Sequence, residues 1–91
     1  MAIARGFDAE GWTPAQYDAL IERMALGGHS APGVLFHWAA ATPDGMRAVD
    51  VYESPEAADR LAQERIGPAA HALGLPMPTI SQFEVHAILQ P

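Results

Sequence analysis

A histidine and an aspartate interrupt two otherwise apolar segments of this 91-residue sequence. His37 lies within the apolar run 34–42, and Asp50 lies between Val49 and Val51. Because imidazole exchanges protons near neutral pH, His37 is a candidate general base or cofactor ligand. The alternative is a buried neutral histidine with a hydrogen-bond partner inside the protein, which is the usual state of a buried polar group.

The predicted hairpin between these segments decides which side chains meet. A two-residue turn at Asp44–Gly45 would pair His37 with Tyr52, and His37, Asp50 and Tyr52 would then share one face of the sheet. There Asp50 would orient the imidazole and raise its basicity. A three-residue turn would separate the group, because a one-residue slip exchanges the two faces. Alternatively, Asp50 forms an ion pair with Arg5 on a neighbouring strand. We take His37, Asp50 and Tyr52 as candidate catalytic residues.

Four further residues are candidates for ligand binding. Glu84 and His86 lie two residues apart on the last predicted strand and therefore point to the same side. They could form an acid–base pair, or a weak metal site with a third ligand from a partner subunit; the alternative is a solvated or interfacial polar face. Because protein metal sites usually need three or four ligands, no metal site is predicted. Trp38 and Arg5 complete the ligand-binding set.

Local signals divide the chain into the order strand–helix–strand–strand–helix–strand. Thr13 and Ser54 are predicted helix caps, each followed by proline at the first helical position. We expect the first helix to end at Gly27–Gly28 and the second to be interrupted at Gly67–Pro68. The predicted strands cover residues 2–8, 34–42, 46–53 and 79–89. On the last strand, Phe83 and Val85 are expected to face the helices. His29 and His71 are expected to be exposed. This order predicts an α+β sandwich in which both helices cover one face of a four-stranded antiparallel sheet.

The composition and net charge of the chain indicate which classes of binding partner to expect. Hydrophobic residues make up 49% of the chain, a large share for one small domain spanning 1–91, so a homodimer formed through the bare sheet face is expected. The chain has no cysteine and a net charge of −6, with arginine as its only strong base. A nucleic-acid partner is not expected, since phosphate contacts need clustered cations. Neither a signal peptide nor a membrane span is predicted, and a cytoplasmic location is expected.

With this element order, the chain resembles the dimeric α/β-barrel superfamily, in particular its antibiotic-biosynthesis-monooxygenase-like branch. The resemblance covers nearly the whole chain and depends on three segments: Pro32–His37 (PGVLFH), Val49–Ser54 (VDVYES) and Phe83–His86 (FEVH). It implies a ferredoxin-like βαββαβ fold that dimerises sheet against sheet into an α/β barrel. It also implies space for a planar hydrophobic or aromatic ligand.

The resemblance leaves the activity open. Known branches include cofactor-free oxygenases of polyketide quinols, haem-degrading enzymes, lactone isomerases and proteins without an assigned activity. The sequence contains no asparagine, so the Asn–Trp–His set of the haem-degrading branch cannot be complete. The resemblance therefore favours a cofactor-independent monooxygenase or an isomerase acting on an aromatic or polyketide-like substrate, with no cofactor expected. A non-catalytic ligand-binding or stress-response module is the alternative, and a structural dimer with a filled core is a third.

Overall fold

A computed structural model describes residues 1–28 and 31–89; the predicted exposure of His29 lies outside this part. Its four strands form one antiparallel sheet in the order β2–β3–β1–β4. The helices lie on one face of that sheet, which confirms the predicted α+β, ferredoxin-like fold. The elements along the chain are β1 (Ile3–Glu10), α1 (Pro14–Met24), β2 (Val34–Thr42), β3 (Gly45–Tyr52), α2 (Pro55–Leu61), a π-helical segment (Ala62–Ile66), α3 (Gly67–Ala72) and β4 (Thr79–Glu84).

Helix α1 begins as its sequence predicts but ends earlier. The Thr13 side chain accepts a hydrogen bond from the Gln16 backbone N–H, and the Gln16 side chain accepts one from the Thr13 N–H, which completes a capping box. The helix ends at Met24, and Ala25 takes the left-handed conformation with φ 56°. The prediction that glycine ends this helix is therefore wrong, because alanine occupies the strained position at the C-terminus.

The second helical region runs on where an interruption was predicted. Between α2 and α3, the Gly67 N–H donates to the Ala62 carbonyl five residues earlier, as in a π-helix. Pro68 has no N–H to donate, and the wider turn carries the chain past it without a break. The Arg65 side chain also donates to the Met24 carbonyl at 2.7 Å, which ties the π-helical segment to the end of α1.

The hairpin register differs from the predicted one by two residues. Thr42 pairs with Gly45, so the turn is at Pro43–Asp44, and His37 lies directly opposite Asp50 instead of Tyr52. A shift of two residues preserves the faces, so the predicted grouping of His37, Asp50 and Tyr52 on one face is retained. The pairing is irregular between Val34 and Phe36.

The two sheet faces have opposite environments. On the helix-covered face, Ile3, Met46 and Tyr52 are buried in one cluster with Leu20 and Leu61 of the helices. On the other face lie side chains that the chain leaves uncovered: Phe36 is 50%, Trp38 41% and Phe83 63% exposed.

Strand β4 is shorter than predicted and turned the other way. It ends at Glu84 instead of residue 89. Phe83 pairs with Ala4, while Glu84 pairs with the buried Ile3. Paired residues share a face, so the prediction that Phe83 faces the helices is wrong.

No helix in the described residues has the length and apolar character needed to cross a membrane.

Candidate functional site

Three elements bring four polar side chains together beneath the helices. Asp50 and Tyr52 alternate with valines on β3 and so point to the helix-covered face. His37 on β2 lies opposite Asp50, and Tyr17 extends from the second turn of α1 over the sheet. The sheet register fixes three of the four positions, and the packing of α1 on the sheet fixes the last.

The four side chains form a continuous hydrogen-bonded chain. The Tyr17 hydroxyl lies 2.5 Å from His37 Nε2, and His37 Nδ1 contacts Asp50 Oδ1. The Tyr52 hydroxyl donates to Asp50 Oδ2 at 2.8 Å. The Tyr17 and His37 ring planes are nearly parallel, at 3°. We call this set the Tyr–His–Asp–Tyr network.

The direction of each hydrogen bond in the network can be assigned by starting from the buried Asp50 carboxylate. Asp50 is only 6% exposed and Tyr52 is 0% exposed. An ionised carboxylate only accepts, so Asp50 accepts from the Tyr52 hydroxyl and from the His37 Nδ1–H. A neutral His37 then has its lone pair on Nε2 and accepts from the Tyr17 hydroxyl. Asp50 thereby fixes the tautomer of the imidazole, as a carboxylate does beside a catalytic or metal-bound histidine.

Both tyrosines are held in their neutral form. Burial is the main cause that raises the pKa of the Tyr52 hydroxyl, followed by the charge of Asp50 and its hydrogen bond; Arg5 acts in the opposite direction. Burial also raises the pKa of the Tyr17 hydroxyl, with further contributions from Asp50 and Asp18. Both hydroxyls therefore keep their protons at neutral pH.

The network lies on the wall of a large, mostly apolar cavity between the sheet and the helices. Its volume is about 1110 Å³, at or above the ~300–1,000 Å³ usual for small-molecule sites. Apolar side chains from both layers dominate the lining, including Phe7, Trp12, Leu20, Ile21 and Leu61. His37 and Asp50 both line this cavity.

Arg5 lines the same cavity but does not contact Asp50 through its side chain. It donates to Asp59 at 2.7 Å and to Gln82 at 2.8 Å, although its backbone lies opposite Asp50 in the β1–β3 pairing. Of the two alternatives for Asp50, the contacts therefore follow the one in which it orients His37. Arg5 connects β1 to α2 and to β4 at the cavity wall.

Three predicted ligand-binding residues lie away from this cavity. Trp38 is on the uncovered face of the sheet, Glu84 is exposed at the end of β4, and His86 is exposed beyond it. None of the three lines the cavity, and their roles stay predictions.

Within residues 1–28 and 31–89, no three His, Cys, Asp or Glu side chains are grouped so that they could hold a metal ion.

Sequence reasoning missed Tyr17 as a site residue. The spacing of Tyr17, Leu20, Ile21 and Met24 predicts one apolar face of α1, and all four do pack in or against the core. The available signal was its hydroxyl, the one polar group on that face, which needs a partner once it is buried. His71 is exposed as predicted, and it also lines the cavity.

Comparison with known proteins identifies the fold. No protein-family model matches the chain, and no curated protein matches it. Several solved structures do match the chain. A protein from Chloroflexus aurantiacus J-10-fl, described as a candidate antibiotic biosynthesis monooxygenase, is 23% identical with a TM-score of 0.69, over 99% of this chain and 98% of that one.

Two more solved structures are similar over nearly their full length. SnoaB, a cofactor-independent oxygenase from Streptomyces nogalater, is 22% identical with a TM-score of 0.64, over 99% of this chain and 96% of its own. A protein of unknown function from Nitrosomonas europaea is 21% identical with a TM-score of 0.68, over 99% and 92%. The structural neighbours are antibiotic-biosynthesis-monooxygenase-like proteins, which confirms the predicted resemblance. At these identities, the likeness shows the fold alone.

Proposed function

We propose that this protein binds an aromatic or polyketide-like molecule in its cavity and catalyses its oxidation by dioxygen, as a cofactor-independent monooxygenase. The observation that carries the proposal is the Tyr–His–Asp–Tyr network on the wall of a 1110 Å³ apolar cavity. An oriented histidine–aspartate pair is the arrangement expected of a general base. The fold shared with SnoaB, a cofactor-independent oxygenase, adds support.

The chemistry requires a base and an electron-rich substrate. With the Asp50 carboxylate holding its Nδ1–H, His37 gains a proton as the substrate loses one, and Asp50 stabilises the resulting imidazolium. The substrate anion supplies the electrons for dioxygen. For an aromatic methylene compound the balance is CH₂ + O₂ → C=O + H₂O, so one oxygen atom enters the product and the other leaves as water. Tyr52 holds Asp50 in place, and Arg5 lines the same cavity.

Turnover of 1,8-dihydroxyanthrone tests the proposal. Its oxidation to the anthraquinone is followed by absorbance and by oxygen consumption, against the spontaneous rate without protein. We expect His37→Gln to lower the catalysed rate by roughly 10²–10⁴-fold, the usual contribution of a general base. Asp50→Asn should also lower it, whereas the matched variant Asp44→Asn, in the exposed β2–β3 turn, should not. Equal rates for wild type and His37→Gln would refute a catalytic His37.

A specific observation favours a second candidate function. Both nitrogens of His37 already have partners inside the protein, which is also the state of a purely structural histidine. In that case the chain is a non-catalytic ligand-binding module of the same fold. Such a protein would bind an aromatic probe without accelerating its oxidation, and His37→Gln would change stability rather than turnover.

The proposed assembly is a homodimer formed through the uncovered face of the sheet. Phe36, Trp38 and Phe83 expose large apolar surfaces there, and a contiguous apolar patch on a small protein commonly marks an interface. A second copy placed sheet against sheet would cover these side chains and produce the α/β barrel predicted from the sequence. Most of the cavity lining lies on the opposite side of the sheet, whereas Phe36 borders both the cavity and this face.

A further inference from the structure

His37 lines the cavity, but both of its ring nitrogens have partners within the network. Neutral imidazole has one N–H and one lone pair. The N–H is used by Asp50, and the lone pair on Nε2 is used by the Tyr17 hydroxyl 2.5 Å away. A ligand in the cavity therefore reaches the Nε2 lone pair only by displacing the Tyr17 hydroxyl or by acting through it.

The Tyr17 oxygen is the atom that continues the network toward the cavity. Tyr17 is partly buried and its side chain lines the cavity. A phenol has one hydrogen to donate and two lone pairs with which to accept. With its hydrogen directed to His37 Nε2, its lone pairs remain to receive a hydrogen bond from a ligand hydroxyl. The other tyrosine, Tyr52, is fully buried on the far side of Asp50.

We propose that Tyr17 is the catalytic residue that contacts the ligand, and that it relays a proton from a ligand hydroxyl to His37. This inference rests on the proposed function, because it specifies how the base acts. The ligand O–H proton, which in an anthrone is that of the enol tautomer, moves to Tyr17 Oη as the Tyr17 proton moves to His37 Nε2. Tyr17 ends neutral, the ligand becomes an oxyanion, and the new imidazolium is paired with the Asp50 carboxylate.

The environment of Tyr17 favours a proton relay over a phenolate that acts as a general base. Burial, together with the charges of Asp50 and Asp18, raises the pKa of its hydroxyl, so it keeps a proton to pass on at neutral pH. The proton leaves Tyr17 toward His37 in the same step in which another arrives, and no isolated phenolate needs to form in the apolar cavity. The Tyr17 hydroxyl is already 2.5 Å from Nε2, and the two ring planes are nearly parallel.

A pair of matched probes tests the contact. Dissociation constants of 1-naphthol and 1-methoxynaphthalene are measured by calorimetry at pH 7; the two probes differ in their ability to donate a hydrogen bond. We expect wild type to prefer 1-naphthol by roughly five- to tenfold, the value of one neutral hydrogen bond. Tyr17→Phe keeps the ring but removes the oxygen, and should bring the preference to about one. Tyr52→Phe, which removes the same oxygen from the buried end, should reduce the preference less.

Each outcome decides the inference. A lost preference in Tyr17→Phe supports it, whereas a retained preference in that variant, or no preference in wild type, overturns it. The result is independent of turnover: if wild type discriminates through Tyr17 yet does not oxidise the anthrone, the proposed oxygenase activity fails and the ligand contact stands. If wild type oxidises the anthrone and Tyr17→Phe matches its rate while His37→Gln does not, His37 meets the substrate directly and the relay is refuted.

Discussion

At the scale of single residues, the most informative feature is Asp50, a buried carboxyl group that is hydrogen-bonded at both oxygens. Burying an ion costs several kcal/mol unless it is well hydrogen-bonded. Asp50 accepts bonds from His37 and Tyr52, one at each oxygen. An apolar residue would fill the same space at less cost, so the retention of this group favours a role in which the carboxylate is used.

Removing the Tyr52 hydroxyl should therefore destabilise the fold. Tyr52→Phe leaves Asp50 Oδ2 without its donor in a buried position. We expect the free energy of unfolding at pH 7 to fall by about 1–3 kcal/mol, the usual cost of an orphaned buried group. Urea denaturation followed by circular dichroism measures it. An unchanged midpoint would show that the carboxylate has another partner or is protonated.

Stability should also fall at alkaline pH, starting near pH 10. The pKa of Tyr52 is raised in the folded protein from its ordinary value of 10.0, so above pH 10 the unfolded chain loses this proton while the folded one keeps it. The unfolded state then binds fewer protons, and stability decreases as pH rises, by about 1.4 kcal/mol per pH unit for one such group. Urea unfolding between pH 9 and 11.5 tests this, and Tyr52→Phe should show a shallower decline. Parallel curves would contradict it.

At the scale of elements, the π-helical segment is the least ordinary part of the chain. Residues from it, including Ala62 and Ile66, line the cavity, and π-helical turns are frequent at functional sites. The segment widens the helix where Gly67 closes against the Ala62 carbonyl. The cavity wall on this side is therefore set by backbone geometry as well as by side chains.

Gly67→Ala tests the need for that close approach. A β-carbon at Gly67 would lie 2.9 Å from the Ala62 oxygen, a distance that forces the backbone to shift. Alanine normally stabilises a helix relative to glycine by about 1 kcal/mol. For Gly67→Ala we expect the opposite: the free energy of unfolding should fall by about 1–3 kcal/mol. The neighbouring Gln63→Ala, at an exposed position, should stay within about 0.5 kcal/mol. A more stable Gly67→Ala would mean that the π-turn is dispensable.

Local chemistry made the element order and helix starts predictable from the sequence. The capping box of Thr13 and Gln16 involves residues three apart, so its signal is complete in the sequence. The hairpin register was misplaced by two because Pro43, Asp44 and Gly45 permit more than one turn. The orientation of β4 was missed because Ile80 and Phe83 place large apolar side chains on both faces.

The partnership of Tyr17 with His37 was beyond local signals. It depends on how α1 lies across the sheet, and the apolar spacing on α1 reports which face is buried without reporting which strand residue each side chain meets. The His37–Asp50–Tyr52 face was predictable because strand parity survives a register error of two.

At the scale of the whole molecule, one sheet separates the cavity from an exposed apolar surface. Phe83→Glu should disrupt the proposed dimer, since it places a charge on the uncovered face while leaving the core untouched. We expect a monomer of about 9.7 kDa with an unchanged circular dichroism spectrum, against a dimer for wild type, by light scattering behind a sizing column. Leu73→Glu, which adds the same charge at the end of α3, should remain dimeric. A monomeric wild type at working concentration would refute the assembly.

All four members of the Tyr–His–Asp–Tyr network come from one chain. A dimer would therefore contain two copies of the network, each formed within its own subunit. If wild-type subunits are mixed with an excess of inactive His37→Gln subunits, each wild-type subunit should keep its own rate. Activity would then follow the wild-type fraction linearly, and two subunits damaged at different network residues could not restore each other.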